Sequence, residues 1–367
     1  MTTIQRLTTR LQRVPLTRPW GADVTSVGIV ATHVVRSDGA EGWGFSWTPQ
    51  IGAPAVQALL DHDIAPAAVG RSAIPGAAWQ GVWEHLHEAG GGGLTTIALA
   101  GLDLALWDAE ARAAGTGVST LIGRRRDEVR AYGSGVNLHY SLDELRAQVQ
   151  RWIDAGFDAV KIKVGRPDLA EDIDRVAAVR ALLGPTRALM LDANQRWDLD
   201  TATRSIDALS PFDPAWIEEP LRADDLAGHT ELARRIEVPI AVGENLHTTF
   251  RFDDFLRAGA AQIVQPNVVR VGGITPFLRI AELAASHGAA LHPHLLPELS
   301  GQLAMTLPDS VAEPLVEDVE DAGFGALGVL EDPPPVTISG GRLVENAHAG
   351  IGLRFSPRLS SAVALRR

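Results

Sequence analysis

Apolar and polar positions along the chain fall into three stretches of different rhythm. Up to about residue 50, short alternations such as SVGIVATHVV (Ser26 to Val35) are broken by SDG and GWG. That pattern predicts an antiparallel meander. From Ala53 to Gly115 the character turns helical. The run TTIALAGLDLALWDAEARAAG is rich in alanine and leucine, and Gly115 stands where a C-cap is expected. GGGG (Gly90 to Gly93), just ahead of that run, reads as a flexible loop rather than a phosphate cradle. Residues 1–125 are therefore expected to form an α+β domain.

From Val129 onward strand and helix patterns alternate strictly. VRAYGSGV is followed by a helix whose Ser141 and Glu144 have capping-box spacing, with Leu142, Leu145, Val149, Trp152 and Ile153 on one face and Gly156 at its end. AVKIKV, ALMLDA, AWIEEP, PIAVGE, QIVQP, AALHPH and PLVEDV come next, separated by helix-length segments that include one after Asp168. Near-continuous apolar strands alternating with helices imply a parallel sheet covered on its outer face. Eight such units close into an α/β TIM barrel over 126–325. A doubly wound open sheet fits less well, because its G-x-G-x-x-G fingerprint is missing. Residues 326–367, with strand pairs around Gly340 and Gly341, are expected to pack back on the first domain.

In barrels of this kind chemistry sits at the carboxyl ends of the strands. Asp192, Glu218 and Glu244 close three consecutive apolar runs at an equal spacing of 26 residues. Three carboxylates brought together repel unless a cation lies between them, and hard oxygen ligands suit Mg²⁺ or Mn²⁺ rather than zinc. Glu219 alternates to the other face and is read as structural.

Lys161 and Lys163 lie two apart on one strand, so both side chains face the same side, roughly 6.6 Å apart. Buried lysines need partners, which implies a polar cavity. Mutual repulsion and burial are expected to depress their pKa values toward the range of a general base. Asn194, Asn267, His294 and Glu317 occupy the remaining strand ends. His294 is placed across the barrel from Lys163, and His292, two residues earlier, leaves open an H-x-H metal pair.

Bulk properties narrow the class. With 46% hydrophobic and 21% charged residues the chain suits a soluble protein with a large core, and a net charge of −12 disfavours nucleic acid. The absence of cysteine removes disulfides, thiolate metal sites and cysteine nucleophiles. No apolar run approaches the roughly 18 residues of a membrane span, and no signal-peptide core is visible. A cytoplasmic protein without a membrane partner is expected.

The ordered set VKIKVG, LDANQRWD, WIEEP, GEN, QPN followed by RVGG, the histidine of HPHLLPE, and PLVE, with GLDLALWD in the first domain, resembles the mandelate racemase branch of the enolase superfamily. Within it the sequence is similar to acid-sugar dehydratases of the galactarate/talarate type. The resemblance implies a modified (β/α)7β barrel capped by the α+β domain. It implies Mg²⁺ on Asp192, Glu218 and Glu244, with Lys163 and His294 as acid–base residues on opposite faces of a small carboxylic acid. Glu317 would hydrogen-bond the substrate carboxylate, and Lys161 would offset charge beside it. A homo-oligomer is expected, of no legible order.

One position departs from the pattern. Asn267 stands where the branch has an aspartate that orients and charges the histidine. An asparagine carbonyl would accept a hydrogen bond from the ring without stabilising imidazolium, which weakens His294 as a base. That disfavours racemisation or epimerisation and favours a Lys163-led dehydration to a 2-keto-3-deoxy acid. A non-catalytic carboxylate-binding protein is the alternative outside enzymes. Substrate selection is expected from the loops at Trp20–Val24 and Trp43–Trp47.

Overall fold

The computed structural model describes residues 1–21 and 24–356. Ala22 and Asp23 of the Trp20–Val24 stretch, and residues 357–367 of the expected tail, lie outside that range. Strands β1 (Ile4–Trp20), β2 (Val24–Arg36) and β3 (Glu41–Thr48) form the anticipated antiparallel meander. Helices α1 (Ala53–Leu59), α2 (Ala65–Ala68), α3 (Pro75–His85), α4 (Leu94–Ala113) and α5 (Val118–Ile122) follow, with a π-helical turn at Leu60–Ile64. Helix α4 lies flush on β3 because glycines line the contact. A Cβ on Gly42 would stand 2.0 Å from the Ala105 carbonyl oxygen, and one on Gly44 2.4 Å from that of Gly101.

The barrel strands are β4 (Glu128–Ser134), β5 (Ala159–Lys163), β6 (Ala188–Asp192), β7 (Ile217–Glu218), β8 (Ile240–Val242), β9 (Ile263–Val264), β10 (Ala290–Leu291) and β11 (Leu315–Val319). Each pairs in parallel with the next from β4 to β10, and β11 pairs with β4. Helices α6 (Leu142–Asp154), α7 (Leu169–Leu183), α8 (Leu199–Leu209), α9 (Leu226–Arg235), α10 (Thr249–Arg257), α11 (Ile274–His287) and α12 (Pro297–Ala304) alternate with them. The caps are those the sequence announces. Ser141 and Glu144 close a full capping box on α6, and Asp168 caps α7.

Between β10 and β11 the seam is joined by side chains. His292 Nδ1 accepts the Leu315 N–H at 3.0 Å, and Glu317 accepts the Leu295 N–H at 3.2 Å.

The tail divides its allegiance. Strands β12 (Val336–Ser339) and β13 (Arg342–Glu345) form a hairpin whose inner strand pairs antiparallel with β4, so this part packs on the barrel as well as on the first domain, where Ser119 and Arg124 reach Glu345 at 2.5 and 3.4 Å. The exposed hydrogen-bonding edge of β4's first residues offers the template. Further on, the chain does return to the meander: Gln12 and Arg10 donate to the Ser356 and Phe355 carbonyls, and Phe355 packs edge-on against Phe45.

The cap is fixed to the barrel at α3 and α4. Asp103 accepts the Thr275 N–H (2.9 Å) and hydroxyl (2.6 Å) at the first turn of α11, and Trp79 donates to the Gly272 carbonyl at 2.9 Å. This joint holds the meander over the carboxyl ends of the barrel strands.

Candidate active site

Register brings the charged side chains together. Lys163 on β5 pairs with Asp192 on β6, and Asp192 pairs with Glu218 on β7, so three strand ends carry them side by side. The third acid is not in register. Glu218 is opposite Ala241, and Glu244 comes three residues later, beyond the end of β8. Gly243 makes that extension: its φ is +146°, and a Cβ there would stand 2.6 Å from the Gln265 backbone nitrogen.

Lys161 is buried with its ammonium 2.8 Å from Glu218, 2.7 Å from Glu317 and 3.6 Å from Asp192. Lys163 donates to Asp192. The expected depression of both lysine pKa values is not found. Burial pushes each down, but the surrounding carboxylates outweigh it, Glu218 and Glu317 for Lys161 and Asp192 for Lys163, so both are held above the ordinary lysine value. The mutual repulsion of the two ammonium groups is real but smaller than the field of the acids.

Those acids are strained in turn. Burial and then the adjacent Asp192 raise Glu218 to about 7. For Glu317, burial acts upward but Lys161, His294 and Lys163 win and bring it to about 2; it accepts from the Ser134 hydroxyl at 2.7 Å. Glu244, under opposing pulls from burial and His294, also ends well below its ordinary value.

Ligand atoms of Glu218, Glu244 and His294 lie within 4.8 Å of one another, with Asp192 turned toward the lysines. Buried carboxylates crowded on neighbouring strand ends, with Asp192 raising Glu218, are a donor set that a hard divalent cation would satisfy. The residues therefore fit such an ion.

His294 Nε2 is 2.6 Å from Glu244 and 3.4 Å from Glu317. Its Nδ1 is 3.1 Å from the amide nitrogen of Asn267. That amide is oriented by its oxygen, which accepts the backbone N–H groups of Val269 and Arg270, each at 3.1 Å. Asn267 thus donates to the ring, the reverse of the carbonyl contact expected from the sequence. A donor facing Nδ1 leaves Nε2 as the nitrogen that carries the hydrogen. Burial disfavours imidazolium and Glu244 favours it, with a net upward pull; the amide hydrogen opposes protonation at Nδ1.

His292 takes no part in the cluster. Its Nδ1 is used at the seam, its ring stacks on Trp216 at 5.3 Å, and burial drives its pKa down to about 4. The H-x-H metal pair is therefore not formed. Glu219 also differs from its expected outward place. Its φ of +39° breaks the strand alternation, and its carboxylate accepts from Gln195 (3.0 Å) and from Asn245 (2.8 Å), which also donates to Glu244 at 3.0 Å. Gln265, unremarked in the sequence, donates to Glu218 at 2.8 Å, and Arg270 supports the Glu244 carbonyl at 2.8 Å.

Lys163, Glu244, His294 and Glu317 line one cavity of about 250 Å³, to which the cap contributes Trp20 and Trp47. Among the described residues, no helix is long and apolar enough to cross a membrane.

Residues 144–359 match the enolase C-terminal domain-like family, and residues 4–123 match the mandelate racemase / muconate lactonizing enzyme N-terminal domain. The chain belongs to the mandelate racemase branch of the enolase superfamily. It is 37% identical to a 3,6-anhydro-α-L-galactonate cycloisomerase of Streptomyces coelicolor, covering 91% of this chain and 92% of that protein. It is 38% identical to an L-talarate/galactarate dehydratase of Salmonella typhimurium over 81% of this chain and 74% of the relative. A racemase from Streptomyces coelicolor with bound magnesium superposes with a TM-score of 0.90 at 34% identity, covering 99% of this chain and all (100%) of that one. The protein is thus an enzyme of this superfamily, and the relatives named here are a cycloisomerase, a dehydratase and a racemase.

Proposed function

We propose that the protein removes the proton α to the carboxylate of a hydroxylated acid and expels the β-oxygen, as in dehydration of an acid sugar to a 2-keto-3-deoxy acid. Mg²⁺ held by Asp192, Glu218 and Glu244 would draw on the field of those carboxylates and stabilise the negative charge that develops on the substrate's carboxyl group. Lys163 takes the α proton as its free amine: an ion engaging Asp192 and Glu244 would remove the field that holds the ammonium up. The electron pair left behind forms the Cα–Cβ double bond as the Cβ–O bond breaks; the departing oxygen accepts a hydrogen bond from His294 Nε2–H and takes its proton from solvent. The enol so formed takes a proton at Cβ and becomes the 2-keto acid. Where the β-oxygen belongs to a ring, the same bond changes open the ring without releasing water, a variant favoured by the likeness to the cycloisomerase.

The observation that carries elimination over racemisation is the Asn267 amide facing His294 Nδ1 at 3.1 Å. A histidine with its hydrogen on Nε2 offers a hydrogen bond there but no lone pair to accept a proton, so only Lys163 is left as a base. The test uses Mg²⁺-loaded protein with a panel of hydroxy acids in D₂O. Lys163→Ala should lower α-proton exchange and turnover by about 10³–10⁴-fold while calorimetric Mg²⁺ binding persists, and the wild-type product should be a 2-keto-3-deoxy acid. Undiminished exchange in the variant, or stereochemical scrambling as the sole wild-type reaction, would refute the reading.

A further inference from the structure

Outside the catalytic cavity, a larger one of about 420 Å³ lies where the chain leaves β5 and β6 and enters α7 and α8. The two cavities share no lining residue. The charged side chains of the larger one are Arg166, Arg196, Arg204 and Asp172, three guanidiniums against one carboxylate on a chain whose net charge is −12. The acids that start the two helices are spent on backbone: Asp168 accepts the Ala170 N–H at 2.9 Å and Asp198 the Thr201 N–H at 2.8 Å.

Arg196 is set in place by Gly165. That glycine has φ +103°, and a Cβ on it would stand 2.7 Å from Arg196 Cδ, so the stem of the arginine lies directly on the loop backbone. The Arg196 guanidinium takes part in no hydrogen bond or ion pair among the described residues. Arg204 contacts only the Thr201 hydroxyl, at 3.5 Å, among the same residues. Two free guanidiniums on one cavity repel each other and are suited to an oxyanion held between them.

The inner wall holds two buried polar atoms without partners. Asp172 is only 1% exposed; its Oδ2 accepts the Gly165 and Arg166 N–H groups at 2.7 and 3.0 Å, while its Oδ1 has no partner. Arg166 donates to the Tyr140 carbonyl at 2.9 Å and stands 3.3 Å from Glu171, while its Nε has no partner. A buried acceptor and a buried donor left unmatched are costly until something pairs with them. A bare anion would meet the arginines and leave Asp172 as it is. A ligand that also carries hydroxyl groups could donate one to Asp172 Oδ1. The volume lies in the range of small-molecule sites and exceeds what a lone oxyanion fills.

We propose that this cavity is a second binding site, for a hydroxylated phosphate monoester of sugar-phosphate type, with Arg196 and Arg204 on the phosphate and Asp172 Oδ1 accepting a hydroxyl. A phosphate monoester carries about −1.5 to −2 charges at pH 7, which matches two free guanidiniums better than a single carboxylate does. The site does not depend on which reaction the catalytic cavity performs.

Calorimetry on the full-length, Mg²⁺-loaded protein in chloride buffer tests it, with D-glucose 6-phosphate as the probe and inorganic phosphate, D-gluconate and D-glucose beside it. The sugar phosphate should bind at least about tenfold more tightly than each of the other three. Arg196→Gln and Arg204→Gln should each weaken it about tenfold. Asp172→Asn should remove its advantage over inorganic phosphate. Arg196 and Arg204 are exposed, so their variants decide the matter even where Asp172→Asn fails to fold. Unchanged affinity in both arginine variants places the probe elsewhere and overturns the proposal. Inorganic phosphate or gluconate binding as tightly as the sugar phosphate overturns it too, as does a probe that fails to bind at about 10 mM.

Discussion

At the barrel end of the cavity, the Lys161 ammonium has carboxylates of Glu218 and Glu317 within 2.8 Å and Asp192 at 3.6 Å. At the cap end, Trp20 and Trp47 meet each other at 6.1 Å and share their wall with Val24 and Pro49. One half is fixed by charge, the other by shape. Charged groups packed this closely have few alternative arrangements, because each unpaired ion would be costly, whereas apolar walls tolerate exchanges of similar volume. The two halves can therefore be changed independently: the cap wall can be substituted without moving the charged groups of the barrel end. The cap–barrel joint at Asp103 and Thr275 keeps them in one geometry.

The largest effect should follow from taking one charge out of the barrel half. Lys161→Met leaves Glu218, Glu317 and Asp192 without their shared cation and should cost about 3–5 kcal/mol of folding stability. Urea denaturation reads it, and added Mg²⁺ should return part of the loss. A cost below about 1 kcal/mol would mean that the carboxylates relax apart and that the barrel end is as adaptable as the cap wall.

The second effect isolates the seam beside that cluster. His292 has a pKa of about 4 in the folded chain because burial disfavours its charged form, with the Arg130 charge adding a smaller push the same way, while its Nδ1 accepts the Leu315 N–H. The unfolded chain binds a proton near pH 6.5. Folding is then fully supported by neutral His292 above that pH. Between about 6.5 and 4 the unfolded state gains a proton that the folded state refuses, and stability falls by about 3 kcal/mol in total. His292→Gln should flatten that part of the stability–pH curve relative to the wild type. Parallel curves would remove His292 from the account and leave acid sensitivity to the carboxylates.

The barrel half also shows where a sequence is legible. The alternation of strands and helices, the Ser141–Glu144 capping box and the facing of Lys161 and Lys163 follow from periodicity and local hydrogen bonding, and all stand in the structure. Glu219 does not, because alternation holds only while the chain is extended, and its φ of +39° turns the side chain toward Asn245. The lysine pKa values went the other way for a related reason: two like charges are visible in K-x-K, but the carboxylates around them come from β6, β7 and β11. The hairpin on β4 is equally nonlocal, since nothing in residues 336–345 names the edge it will meet. Equal spacing placed Asp192 and Glu218 in register, yet Glu244 reaches the group only through the turn at Gly243.

The smallest expected change is the one that tests how the charged half chooses its chemistry. Asn267 holds its amide oxygen against the Val269 and Arg270 N–H groups, so its nitrogen must face His294. In Asn267→Asp one carboxylate oxygen keeps those two donors and the other meets Nδ1, which can contact it favourably only by carrying a hydrogen. The tautomer reverses, and the Nε2 lone pair becomes available in the cavity. Exchange of the α proton in the epimer whose hydrogen faces His294 should then rise by about ten- to a hundredfold, with little change for the epimer served by Lys163. NMR in D₂O with each epimer separately reads the two faces. A rise on both faces together would point to a general gain in electrostatics, and no rise on either would show that the amide does not govern the ring. A one-sided rise would mean that a single hydrogen-bond direction at Asn267 separates an enzyme with one base from an enzyme with two.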